Sequence, residues 1–374
     1  MKKNNPSNIV ISEEIIEIVG ATQEEQVNET PKATTFEDLH GENLNDRVRV
    51  LSPGQMVAKR FFRSKLSMVG LVTLIILFLA CFIGPIFSPW ADGGTPITDY
   101  GNVQDVVITE KIEYVTEDGT EVEAYQITVT TPSFNRRGEI DGTHWLGTDD
   151  NGKDLFTCLL LGGRISLTIG FVVVILSTLI GVIFGGFAGY FGGWVDNLIM
   201  RIVDILSCIP TIPVMLILSA ALTGNGILGI ERLYYMMAVL TLFSWVGTAR
   251  LVRGQILSLR EQEYMLAAKC SGLSTYRKIF KHLLPNVMPQ LIVSMTMGLG
   301  SIILTEATLG FLGLGAPLGT PTWGAMISAA SKMEYLSGYP NFWVPPGICI
   351  TLAILAFNFV GDGLRDAFDP KMKR

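Results

Sequence analysis

The sequence predicts an all-α membrane protein with six transmembrane helices and a small extracellular β-hairpin insertion. Three observations lead there. The chain's 374 residues are 49% hydrophobic and only 17% charged, less charge than a soluble domain of this length carries. Apolar stretches at 66–88, 165–190, 198–222, 233–249, 287–312 and 344–361 reach or approach the roughly 20 residues needed to cross a bilayer. Lys and Arg gather on alternate connectors, as the cytoplasmic bias of positive charge requires.

Residues 1–58 come first and carry Glu13, Glu14, Glu17, Glu24, Glu25, Glu29, Glu37, Asp38 and Glu42 with few aromatics. Such a stretch cannot bury enough apolar surface to fold and reads as a disordered cytoplasmic tail. It accounts for most of the formal charge of −6, and nothing basic enough to hold nucleic acid remains. Residues 59–90 hold the first span, which begins too far along the chain to be a cleaved signal. Cys81 after Leu79-Ala80 imitates a lipoprotein cleavage site but sits inside a full-length span.

Residues 91–143 form the external insertion. The run from Val106 to Val115 alternates, Asp118-Gly119 follows, and alternation resumes from Val122 to Val129. An Asp-Gly between two alternating runs predicts a hairpin over 106–129. It is either an insertion without essential contacts or a contact for a soluble partner.

A five-helix core at 144–364 and a cytoplasmic C-terminus at 365–374 complete the chain. Orientation follows from Lys59, Arg60, Arg63 and Lys65 before the first span. Arg250, Arg253, Arg260, Lys269, Arg277, Lys278 and Lys281 follow the fourth, and Arg365, Lys371, Lys373 and Arg374 follow the last. An even number of spans puts all three clusters on one side, so both termini are expected in the cytoplasm of a multi-pass plasma-membrane protein. The connectors between spans three and four and between spans five and six carry little positive charge, Arg232 and Lys332.

Within the second span Gly181, Gly185, Gly189 and Gly193 recur every fourth residue, a small-residue stripe expected to let another helix approach closely. Pro210, Pro213 and Pro289 fall within spans and predict kinks or breaks. The five cysteines are scattered and three are in apolar stretches, so inert thiols are expected rather than disulfides or metal ligands. His40, His144 and His282 form no ligand cluster, and no metal site is expected.

Gly147-Thr148-Asp149-Asp150-Asn151-Gly152-Lys153-Asp154 matches the phosphate-loop spacing GxxxxGK but ends in Asp. A Ser or Thr hydroxyl belongs there, reaching Mg²⁺. A carboxylate beside Asp149 and Asp150 would repel phosphate, so ATP is expected to bind elsewhere than on this chain.

The cytoplasmic loop, 253–285, contains Glu263-Tyr264-Met265-Leu266-Ala267-Ala268-Lys269-Cys270-Ser271-Gly272 and then Leu284-Pro285. Tyr264, Ala268 and Ser271 are spaced to share a helix face. The two alanines permit close approach, and Gly272 can end the helix in a left-handed cap. A docking knob or an ordinary solvated loop both fit this pattern.

That loop resembles the EAA signature of ABC-importer permeases, with two alanines, a glycine four residues after the second, and Leu-Pro beyond. His144-Trp145-Leu146-Gly147-Thr148-Asp149, Ala188-Gly189-Tyr190-Phe191-Gly192-Gly193-Trp194, Glu306-Ala307-Thr308-Leu309-Gly310-Phe311-Leu312-Gly313 and Gly361-Asp362-Gly363-Leu364-Arg365-Asp366 extend the likeness. From about Lys59 to Lys371 the chain resembles the C-type permease of the dipeptide/oligopeptide/nickel import family. Leu266 stands where the signature has its glutamate, and Lys153 where arginine is common. The resemblance implies the ABC-importer permease fold and a second homologous permease completing the translocation path. It also implies two cytoplasmic ATPase subunits carrying ATP and Mg²⁺, and an extracellular binding protein that delivers cargo. Glu263, Tyr264, Ala267, Ala268, Ser271, Gly272, Leu284 and Pro285 would then form the ATPase-coupling loop. No bond chemistry and no cofactor are expected on this chain. Peptides are the expected cargo, with nickel or another small solute as the alternative.

Glu306 is the acid nearest the interior of a span, and reads either as a gate or substrate contact or as a packing residue. Asp204 and Arg201 are placed to pair on adjacent turns. Asp362, Arg365 and Asp366 read as a cytoplasmic brace. A secondary transporter would need more intramembrane acids than these. An intramembrane enzyme would need a carboxylate pair, a HExxH or a serine dyad, and the spans carry none of these.

Overall fold

The structure is a computed structural model that describes residues 53–92, 95–99, 105–108, 127–130, 135–317 and 319–369. Nearly all of the acidic segment, and the Asp118-Gly119 turn, lie outside the described residues.

Helix α1 (Pro53–Arg63) is amphipathic. It turns Phe61 inward, and Arg60 donates to the backbone oxygen of Asp369 at 3.0 Å. Its far end is therefore tied to the chain's C-terminal helix. Ser64 caps α2 (Lys65–Phe87) through Ser67 N at 3.4 Å. Only Ser67, Gly70, Leu74, Leu77, Cys81 and Pro85 of α2 are buried. They form one stripe at helical spacing, and Val69, Val72, Ile76, Leu79, Ile83 and Ile86 face outward. An apolar outward face of this kind is what lipid contact requires.

Helix α3 (Leu155–Phe191) runs for 37 residues, ten residues longer at its start than the apolar stretch suggested. Asp154 supplies the reason: its carboxylate caps Thr157 N at 2.7 Å and so starts the helix early. The predicted third span is broken. Helices α4 (Gly193–Cys208) and α5 (Thr211–Gly224) meet at a 75° bend. Pro210 lacks the N–H that would continue the ladder. Counting that pair as one span, six segments are long and apolar enough to cross.

Helix α6 (Glu231–Leu259) continues past the apolar stretch, so the 253–259 part of the expected loop is helical. A short α7 (Glu263–Cys270) follows, then α8 (Thr275–Phe311), which contains a π-helical turn at Lys278–Leu283 just before Pro285. Helices α9 (Trp323–Ile327) and α10 (Met333–Gly338) follow, and α11 (Pro340–Phe368) returns. Pro340 opens it at the first position, where a missing N–H costs little, whereas Pro345 and Pro346 lie inside the helix and each removes a ladder hydrogen bond. The core sits between α2, α3, α8 and α11, around Leu167, Val173, Ile303, Ala353 and Phe357.

In the external insertion β1 (Ala91–Asp92) pairs antiparallel with β2 (Thr95–Pro96), and β3 (Asp105–Ile108) with β4 (Ile127–Thr130). The β3–β4 register sets Val106 opposite Val129.

Candidate functional site

The elbow, in the segment expected at the cytoplasmic face, is built by α7 and the start of α8. Helix α7 ends in a Schellman cap: Leu273 N donates to Ala268 O at 3.3 Å and Gly272 N to Lys269 O at 3.0 Å. Gly272 has φ +68°, a left-handed position that favours glycine. Met265 is fully buried with Val252, Ile256, Leu283, Val287 and Leu291. Ala268, one turn on, is 6% exposed. These two residues form the inward face, whereas Glu263, Tyr264, Leu266, Ala267, Lys269, Cys270, Ser271 and Gly272 are exposed.

The face expected to hold Tyr264, Ala268 and Ser271 together is thus divided. Ala268 packs into the chain itself, and Ala267 is the alanine presented outward. Ser271 bonds back to Ala267 O at 2.9 Å, and Tyr264 Oη accepts from Asn286 at 3.4 Å. Leu284 is half-buried and Pro285 exposed beside it. Leu266, where the signature has glutamate, points outward at 50% exposure.

Three of the stripe glycines lie against α6. A Cβ on Gly181 would stand 2.6 Å from the Thr248 Cβ, one on Gly185 would meet Ala249 backbone, and one on Gly189 would stand 2.9 Å from Arg253 O. Gly193 is not part of the stripe. It lies beyond the α3 cap at Gly192, has φ +54°, and has open space around it. Arg260 donates to the last α3 carbonyls, Gly189 O at 3.2 Å and Tyr190 O at 3.3 Å. Arg253 grips Asp196 through two nitrogens, and Arg250 meets Asp204 at 3.1 Å, not Arg201. Together these bonds fix α4 along the C-terminal half of α6. Asp362, Arg365 and Asp366 are exposed near the end of α11.

Glu306 is fully buried in α8. The hydroxyls of Ser166 and Thr322 are its polar neighbours, yet neither carboxylate oxygen forms a hydrogen bond among the described residues. Trp323 packs over the same junction, with its indole N–H on Leu159 O at 3.0 Å. The carboxylate therefore faces the α3–α9 packing rather than an open passage.

Just before α3 the phosphate-loop imitation is a closed turn. Asp149 accepts from Asn151 N and Lys153 N, each at 2.8 Å, so those amides are already occupied. The Lys153 ammonium donates to Gly319 O at 3.1 Å. His144, unassigned by sequence reasoning, lies between Asp154 at 3.0 Å and Asp99 at 3.4 Å, under the Trp90 ring. It ties the loop after α2 to the cap of α3. Arg137, at φ +54°, is held by Asp150 and Glu334 beneath the Tyr335 ring. Burial pushes the Asp150 carboxyl up, but the Tyr335 hydroxyl and the Arg137 guanidinium outweigh it and leave it below its ordinary range.

Comparison with known proteins accounts for this architecture. Residues 181–374 match the family model for the binding-protein-dependent transport system inner membrane component, and 52–102 match the N-terminal TM domain of oligopeptide transport permease C. An oligopeptide transport system permease protein of Bacillus subtilis is 37% identical over 317 residues, 84% of this chain and 88% of the relative. A dipeptide transport system permease protein of the same organism is 36% identical over 354 residues, 94% of this chain and 97% of the relative. A dipeptide permease of Alkalihalophilus pseudofirmus is 35% identical over 328 residues, 88% and 93% of the two chains. The chain belongs to the binding-protein-dependent transport system inner membrane component family and is a membrane permease component of an ABC importer.

Proposed function

We propose that this permease forms, with a second homologous permease, the path through which oligopeptides or dipeptides enter the cell. The cargo is that named for its relatives. Two cytoplasmic ATPase subunits bind ATP and Mg²⁺ and dock on the elbow, while an extracellular binding protein delivers the peptide. The chain itself makes and breaks no bonds. Its task is to hold two conformations whose balance shifts with the ATPase and the binding protein. Both termini and the elbow lie in the cytoplasm.

The observation that carries this reading is the elbow's division of faces. Met265 and Ala268 anchor α7 to α6 and α8, so the exposed Ala267 side is a rigid extension of the membrane helices. A push on that side reaches the bundle without being absorbed by a slack loop. Ala267→Trp tests it. The chain should insert and fold, because Ala267 is exposed. Co-purification of the ATPase subunits should fall at least tenfold and labelled-peptide uptake should fall with it. Normal docking and uptake would remove α7 from the contact. Ala268→Trp should instead damage the permease's own packing, because overfilling a packed site costs about 1–3 kcal/mol.

A further inference from the structure

Midway along the spans, α3, α6 and α8 separate around a groove of about 290 Å³. Its polar lining is Ser177 and Thr178 of α3, Ser244 and Thr248 of α6, and Ser294 and Ser301 of α8. The spacings of four on α6 and seven on α8 are those of single helix faces, while Ser177 and Thr178 are sequence neighbours on α3. No Asp, Glu, Lys, Arg or His lines the groove. Ser177 and Ser244 bond back to Val174 O and Leu240 O. The hydroxyls of Thr178, Thr248, Ser294 and Ser301 have no hydrogen-bond partner among the described residues. Gly247 and Ser301 are exposed at its mouth.

The contrast with α2 is instructive. The exposed residues of α2 from Leu66 to Phe87 are all apolar, as hydrocarbon demands. Hydroxyls with spare bonding capacity belong against water, a partner chain or a solute, not against lipid. The volume is at the lower edge of the range of about 300–1,000 Å³ typical of small-molecule sites, as suits half of a passage completed by a second chain.

We propose that this groove is the chain's cargo-contacting surface, and that it engages the peptide backbone through uncharged hydroxyls. Serine and threonine both donate and accept, so they match peptide N–H and C=O groups alike. With no charge in the lining, side-chain charge on the cargo is neither rewarded nor refused. The inference rests on the peptide reading above and adds the residues and the mode of recognition.

The test uses the whole transporter with its binding protein, reconstituted in liposomes, with uptake and ATP hydrolysis measured together. The probes are three labelled tripeptides, Ala-Ala-Ala, Ala-Lys-Ala and Ala-Asp-Ala. Gly298→Phe should fill the groove, since only Val174 Cγ2 at 3.9 Å stands near its Cβ position. Uptake of all three should fall at least tenfold while binding-protein-stimulated ATP hydrolysis persists. Ser301→Asp should leave assembly intact, because Ser301 is exposed, and should favour Ala-Lys-Ala over Ala-Asp-Ala at least threefold. Unchanged uptake in Gly298→Phe, or an unchanged basic-to-acidic ratio in Ser301→Asp, overturns the proposal. If Gly298→Phe prevents assembly, the Ser301→Asp ratio decides. A wild-type complex that transports none of the tripeptides would overturn the peptide reading itself, a result separate from wild-type transport with indifferent variants.

Discussion

A single methyl group is enough to disturb the closest helix pair. The Cβ of an alanine at 185 would meet the backbone of Ala249, with Cα 2.9 Å away, and backbone cannot swing aside as a side-chain tip can. Gly185→Ala should cost about 1–3 kcal/mol, the usual range for overpacking. Gly186 is its neighbour in sequence but meets only Ile256 Cδ1 at 3.9 Å. Gly186→Ala should be neutral or stabilising by up to about 1 kcal/mol, because it removes backbone entropy in a helix interior. Thermal unfolding of the purified permease in detergent checks both, and equal shifts would contradict the geometry. Asp150 gives a second residue-level prediction. Its carboxyl titrates below its ordinary value in the folded protein, so its contribution is present above about pH 4, the ordinary Asp value, and is lost as pH falls through the lower folded value. Between pH 6 and pH 3 the wild type should lose more thermal stability than Asp150→Asn, and parallel profiles would rule out this contribution.

At the scale of elements, charge joins what apolar contact leaves loose. Helix α4 meets α6 through Val203 against Trp245, Val246 and Ala249, and along its polar edge through Asp196–Arg253 and Asp204–Arg250. Asp196 is 13% exposed and Arg253 34%. Asp196→Asn should therefore cost about 1–2 kcal/mol, between the roughly 0–1 kcal/mol of a surface pair and the loss at a fully buried one. The exchange Asp196→Arg with Arg253→Asp should recover part of it by the same unfolding assay. Element limits were the least legible part of the sequence. The existence of every span followed from apolar length. The ends did not, because capping and charged extensions decide them: Asp154 starts α3 early, and Arg250 and Arg253 continue α6 beyond its apolar part. Pro210 breaks its span at the 75° bend, whereas Pro289, with the same missing N–H, lies inside the continuous α8, so the proline marked a candidate and the surrounding packing decided the outcome. The inward turn of Ala268 was not readable, since a face is defined by what it packs against, here the α6 and α8 residues around Met265. The groove hydroxyls gave no sequence signal, being scattered over three distant helices.

For the whole molecule, the decisive question is which side of the membrane each end occupies. The Arg60 bond to Asp369 O joins the start of the described chain to its end, so both lie at one face of the bundle. The basic residues of α1, of the end of α6 and of the elbow gather in the segments expected at that face. The His144 and Arg137 clusters belong to segments expected at the other face. The bias of positive charge toward the cytoplasm then orients the molecule. The protein carries its own reporter, because Cys270 in the elbow is an exposed thiol while Cys81 and Cys158 are buried. With Cys208→Ser and Cys349→Ser in place, a membrane-impermeant maleimide should leave Cys270 unlabelled in intact cells and label it in inside-out vesicles. Glu139→Cys, exposed at the external end, should show the opposite pattern. Co-expressed ATPase subunits should protect Cys270 in the vesicles if α7 is their docking surface, and omitting them should restore labelling. Labelling of Cys270 in intact cells would invert the topology and with it the assignment of the elbow to the ATPases.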